Sequence, residues 1–153
     1  MRRILLLSAH NSVRSQMAEG LLRSVAADHY ESLSAGLYPT PMDMLAIDVM
    51  REIGIDISQQ EAKDVQAFLH APLSAVVTVG DEARESCPRF SSECKYLHWR
   101  FQDPATISGS RRERLAMFRL LRDEIAARVE QEFGIGSVFP RVDGPATLPC
   151  APA

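Results

Sequence analysis

The sequence predicts an α/β domain in which helices cover both faces of a parallel sheet. Three observations predict it. Apolar runs with strand character alternate along the chain with segments of helical spacing. The run Ile4–Leu7 is continuously apolar, as a strand buried on both faces is, and Leu73–Val79 is β-branched and apolar in the same manner. No internal repeat is present, and 153 residues suit a single domain.

Ile4–Leu7 is read as the first strand, followed by a turn over Ser8–Arg14. Met17, Leu21 and Val25, with Ala18, Leu22 and Ala26, form one apolar face of a helix over Ser15–Tyr30. Leu33–Ala35 is a short second strand, closed by Gly36 and the turn residues Pro39 and Pro41. A second helix runs from Asp43, its N-cap, to Ile53, with Gly54 as its stop. Leu73–Val79 is the third strand and Tyr96–Trp99 the fourth. The last helix, Arg111–Phe133, carries Phe118, Leu121, Ile125 and Val129 on one face, and Gly134 ends it. Ile135–Ala153 is rich in Pro and Gly without an apolar period, so the domain is expected over 1–134 and a loosely held tail over 135–153.

Composition narrows the function classes. Seventeen basic against 20 acidic residues give a net charge of −3, which argues against a general nucleic-acid binder. No apolar run approaches the ~20 residues that span a bilayer, and the opening run stops at Ser8, too short for a signal segment. Three cysteines, Cys87, Cys94 and Cys150, are an odd count that speaks against a secreted disulfide framework, and the chain reads as cytoplasmic. His10, His29, His70 and His98 lack metal-ligand spacing, and no nucleotide-binding glycine fingerprint occurs, so neither metal nor cofactor is expected.

The informative stretch is Ser8-Ala9-His10-Asn11-Ser12-Val13-Arg14-Ser15, between a buried strand and a helix N-terminus. A tight loop there aims backbone N–H groups inward and the helix dipole adds positive charge, which together bind tetrahedral oxyanions. Arg14 can close a bidentate clamp on two anion oxygens. The same spacing also suits an ordinary strand–helix turn with an exposed arginine.

The run Asn11-Ser12-Val13-Arg14-Ser15-Gln16-Met17-Ala18-Glu19-Gly20 resembles the thioredoxin-coupled arsenate reductases, which share the fold of low-molecular-weight protein tyrosine phosphatases. The resemblance continues through Ser34-Ala35-Gly36, Ile53–Ser58, Val76–Val79, Cys87-Pro88, His98-Trp99, Asp103-Pro104 and Arg122–Ile125. It implies a four-stranded parallel sheet. It also implies a loop of the form Cys-x5-Arg that holds arsenate, phosphate or sulfate. Within it, Asn11 would pin the loop, Ser12 would shape it, and Ser15 would donate to the nucleophile and cap the helix. Asp103 would be the general acid to the leaving group.

Two departures stand out. Counting back from Arg14 puts the nucleophile at position 8, where this chain has Ser8. A thiol of reference pKa ~8.5 is readily ionised in such a nest, whereas a serine hydroxyl needs an adjacent base. His10, on the loop, is read as facing outward. The second redox cysteine of the family falls on Gly80, and only the third, Cys87, is kept. Cys94 lies seven residues on, so Cys87 and Cys94 are a displaced pair or, more simply, two unrelated thiols.

Some relatives bind potassium behind the loop, with ligands that would include Asn11, Glu19 and Ser34. Glu61 and Lys63 stand where that site expects Thr and Asp, and an ammonium at Lys63 would replace the ion.

The chain as written is therefore expected to be an arsenate-reductase-like oxyanion binder without turnover. The alternatives are an arsenate reductase or small phosphatase carrying a Cys-to-Ser trap at position 8, with thioredoxin or another thiol as reductant, and a trivalent-arsenic binder using Cys87, Cys94 and Cys150.

Overall fold

The computed structural model describes residues 1–134. The tail expected over 135–153, with Cys150, lies outside them. Four strands, β1 (Arg2–Ser8), β2 (Tyr30–Gly36), β3 (Ala75–Val79) and β4 (Lys95–Trp99), form one sheet in the order β2-β1-β3-β4. Each neighbouring pair is parallel. The helices are α1 (Arg14–Ala26), α2 (Met44–Arg51), α3 (Asp81–Glu85) and α4 (Arg111–Phe133). The four-stranded parallel sheet with helices on both faces is thus the observed architecture.

The apolar run of β1 follows from its central place. Ile4 and Leu6 join a core with α1, α2 and α4, including Met17, Leu22, Met50, Phe118 and Ile125. Leu5 and Leu7 join a second core on the opposite face, with Val65, Ala83, Cys87 and Phe90. A strand buried on both faces cannot alternate polar and apolar residues.

The chain leaves β1 for β2 on one side and later returns to place β3 on the other. In a doubly wound sheet this reversal opens a crevice at the carboxyl ends of the two strands, where ligands bind. Leu7 pairs with Thr78, so Ser8 and Gly80 both stand at that end.

Several boundaries differ from the sequence expectation. Helix α1 ends at Ala26 instead of reaching Tyr30, which opens β2. The Tyr30 ring packs edge-on against Phe133 at 5.3 Å, so its apolar character serves the strand and not the helix. Strand β2 runs from Tyr30 to Gly36, longer than the expected Leu33–Ala35. Helix α3 was not expected; it buries only Ala83 and leaves no apolar period. Asp43 caps α2 through a bond from the Leu45 N–H, and α4 has its expected span, started by a Ser110–Glu113 capping box. No described helix is long and apolar enough to cross a membrane.

Candidate oxyanion site

Residues 9–13 connect β1 to α1, and their backbone is turned by what its carbonyls bind. The carbonyls of Ser8, Ala9, His10 and Ser12 accept from the N–H groups of Leu37, Tyr38, Thr40 and Asp43. The carbonyl of Asn11 accepts from Gln16 Nε2 at 3.0 Å. In a trans peptide the following N–H points opposite its carbonyl. Anchoring these carbonyls to the segment after β2 and to Gln16 therefore turns the N–H groups of Ala9, His10, Asn11, Ser12 and Val13 the other way. The Asn11 N–H shows the direction, because it donates to Ser8 Oγ at 3.1 Å. The result is a nest of donors at a helix N-terminus.

Asn11 fixes the loop. Its backbone is left-handed, with φ 51°, a conformation that Asn adopts more readily than most residues. Its side chain is wholly buried and fully used. Nδ2 donates to Ser15 Oγ (2.8 Å) and Ser34 Oγ (3.0 Å), while Oδ1 accepts from Gln16 Nε2 (3.0 Å) and the Lys63 N–H (2.9 Å).

Ser8 Oγ is buried and lies 2.6 Å from Ser15 Oγ. Its other protein partner is the Asn11 amide. His10 turns Nδ1 to the Tyr38 carbonyl, 3.1 Å away, at the rim of the pocket. Ser15 does not cap α1. The helix begins at Arg14, Val13 holds the N-cap position without a side-chain bond, and Ser15 is spent on Ser8 and Asn11.

Arg14 is the first residue of α1 and is buried, contrary to an exposed turn arginine. Its Nη2 stands 3.9 Å from Asp103 Oδ1. Burial lowers its pKa, while Asp103, Glu82 and Asp81 pull it back up. An arginine so placed keeps its charge at neutral pH. Asp103 is half-exposed and caps the short turn Pro104–Thr106 through the Ala105 N–H at 2.9 Å.

A cavity of about 290 Å³ opens over this loop. Its walls include Ser8, His10, Asn11, Ser12, Val13, Arg14 and Asp103. Ala9 and Ser15, expected among the binding residues, are absent from that lining; both are buried behind it. Thr40, Asp43, Ala105, Ile107 and Arg114 also line it; of these the sequence offers only Arg114, as part of the basic stretch Arg111–Arg114 that opens the last helix and could attract an anion. Asp43 was visible only as a helix cap. Arg114 reaches Asp43 at 3.9 Å, a contact between distant segments that no local pattern announces.

Behind the loop, Glu19 is buried and accepts from Ser34 Oγ at 3.1 Å. Lys63 Nζ lies 3.7 Å from Glu19 Oε1 and donates to the Glu61 carbonyl at 2.7 Å; Arg23 lies 3.6 Å from Glu19 Oε2. The positive charge facing Glu19 is thus supplied by the chain itself, and these residues do not fit a potassium ion. Among the described residues no group of three His, Cys, Asp or Glu is assembled to hold a metal.

Cys87 does not line the pocket. It is wholly buried in the core beneath Leu5 and Leu7, and it is disulfide-bonded. Cys94 is a free thiol packed against the same core, so Cys87 and Cys94 are not joined to each other. Burial raises the Cys94 pKa, partly offset by a hydrogen bond with Tyr96.

The chain matches the low molecular weight phosphotyrosine protein phosphatase family over residues 3–134. It is 38% identical to an arsenate reductase of Shouchella clausii over 128 residues, 84% of this chain and 92% of that protein. An arsenate reductase of Halalkalibacterium halodurans is 39% identical over 127 residues, 83% of this chain and 91% of its own. A solved arsenate reductase in the phosphate binding state superposes with a TM-score of 0.73 at 30% identity, covering 85% of this chain and 95% of that one.

Proposed function

We propose that this chain, which belongs to the low molecular weight phosphotyrosine protein phosphatase family, is an arsenate-reductase-like protein that holds arsenate or phosphate in its 8–14 loop without turning it over. The donors of the loop face the anion, and Arg14 closes over two of its oxygens. Bound phosphate in a related arsenate reductase supports this choice of ligand.

The observation that carries the loss of turnover is the company of Ser8. Its oxygen meets a hydroxyl at 2.6 Å and an amide at 3.1 Å, and neither is a base. Donors suit a thiolate, which is already ionised, and disfavour attack by a neutral hydroxyl, which must lose a proton. Reduction of arsenate further needs sulfur–sulfur exchange, which an oxygen at position 8 cannot enter. Thioredoxin or another thiol would serve arsenate reduction by this chain only once sulfur occupied that position.

A second reading has its own support. Arg14 and Asp103 are both kept at the pocket, 3.9 Å apart. A cysteine at position 8 would then find the rest of a phosphatase or reductase site in place, and Ser8 would be a trap for bound substrate.

The test is calorimetric titration with phosphate and with arsenate. The native chain is expected to bind both, and Arg14→Ala to weaken binding by roughly tenfold to a hundredfold. A native chain that binds neither anion would end the oxyanion reading.

A further inference from the structure

We propose that Gly80 is the seat of the Arg14 guanidinium, and so a positioning residue for the oxyanion clamp; the inference rests on the 8–14 loop being that clamp. Gly80 follows β3 and precedes α3, with φ 105° and ψ 152°, a backbone that only glycine adopts freely. Conformation alone is not the whole demand. A Cβ built on Gly80 would stand 2.2 Å from Arg14 Nη1, 3.0 Å from Cζ and 3.4 Å from Nη2. The planar guanidinium is spread over the space that a side chain would fill. Gly54 makes the contrast: its φ is also positive, at +80°, yet nothing lies within 4 Å of its Cβ position.

Gly80 cannot retreat to make room. Its N–H donates to the Trp99 carbonyl at 2.9 Å, which ties it to β4, and its carbonyl accepts from the Arg84 N–H at 3.4 Å, which ties it to α3. The flexible partner is the arginine, so a side chain at position 80 must push the guanidinium out of its present place. The neighbours of Gly80 favour the charge seated there, since Asp81 and Glu82 both stabilise the Arg14 cation.

The experiment compares Gly80→Ala and Gly54→Ala, with Gly80→Ala repeated in an Arg14→Ala background. Phosphate affinity is read by calorimetry and Tm by thermal unfolding. Gly80→Ala is expected to weaken phosphate binding by at least about tenfold, the scale of losing a charged hydrogen bond. Gly54→Ala also puts an alanine at positive φ and is expected to lower Tm while leaving phosphate affinity within about twofold, because nothing lies within 4 Å of its Cβ position. Removing the Arg14 side chain removes the collision, so Gly80→Ala is expected to lower Tm less in the Arg14→Ala background than in the native one. A folded Gly80→Ala chain with native phosphate affinity overturns the proposal. So does an equal Tm loss in both backgrounds, or failure to fold in both, since the glycine would then serve backbone geometry alone. If the native chain binds no phosphate, the oxyanion reading fails, while the Tm comparison still decides whether Gly80 seats Arg14.

Discussion

Ser8 Oγ, in the pocket wall, stands 2.6 Å from Ser15 Oγ, buried behind it, with the Asn11 N–H also directed at Ser8. The Asn11 N–H donates to Ser8 Oγ, and the Ser15 hydroxyl, whose oxygen accepts from Asn11 Nδ2, can turn its proton toward an anion at that position; neither group removes a proton from a neutral hydroxyl.

A thiol introduced by Ser8→Cys is accordingly expected to ionise well below the ordinary ~8.5. The sign is that hydrogen bonds to the charged form lower its pKa, so the thiolate is present at neutral pH. Cys94 moves oppositely, because burial raises its pKa, and it reacts only at more alkaline pH. Peptide-resolved alkylation rates across pH check both. Adding Ser15→Ala is expected to move the position 8 profile upward in pH; an unmoved profile would contradict the donor role of Ser15.

Asn11 carries two separable burdens, its positive φ and its four side-chain bonds. Asn11→Gly relieves the first and loses the second, while Asn11→Ala suffers both. Each lost buried bond costs about 0.5–1.5 kcal/mol and left-handed alanine about 1–2 kcal/mol more. Urea unfolding is expected to rank native above Asn11→Gly above Asn11→Ala. An Asn11→Ala chain as stable as the native one would show that the loop is held by other means.

Lys63 stands in for a cation at Glu19, 3.7 Å away. The native Tm is expected to be the same in potassium chloride and in choline chloride of equal ionic strength. Lys63→Met leaves Glu19 with only the more exposed Arg23, and its Tm is expected to rise selectively with potassium. A native chain whose Tm responds to potassium in preference to choline would contradict this assignment.

Gly20 sets two effects of opposite sign against each other. Alanine in a helix interior gains about 1 kcal/mol over glycine. Here the new Cβ would lie 2.6 Å from Ile57 Cγ2 and 3.3 Å from Ile55 Cγ2, and Ile57 is wholly buried. Overpacking costs about 1–3 kcal/mol, so Gly20→Ala is expected to be less stable than native. A higher urea midpoint would show that the contact yields cheaply.

What the sequence disclosed follows from the range of the interactions involved. Strand β1 was legible because its burial on both faces is written into four adjacent residues, Ile4–Leu7. Helix α4 was legible because Phe118, Leu121, Ile125 and Val129 repeat at its own period and all are buried. The end of α1 was misplaced because Tyr30 extends the apolar pattern beyond Ala26 but packs from a strand against Phe133. The 8–15 run was conspicuous because its residues are contiguous. The Lys63 amide that holds Asn11 comes from 52 residues away, and the space over Gly80 is filled by a side chain from another element. Such relations are made by the fold and leave no local pattern.

The most direct test of the account is a paired turnover assay of the native chain and Ser8→Cys, using p-nitrophenyl phosphate hydrolysis and thioredoxin-linked arsenate reduction. The account predicts no turnover above background for the native chain on either substrate, and hydrolysis restored by the cysteine, since the loop, Arg14 and Asp103 remain placed for it. Turnover by the native chain would contradict it, because Ser8 would then be activated by a group other than its hydroxyl and amide partners.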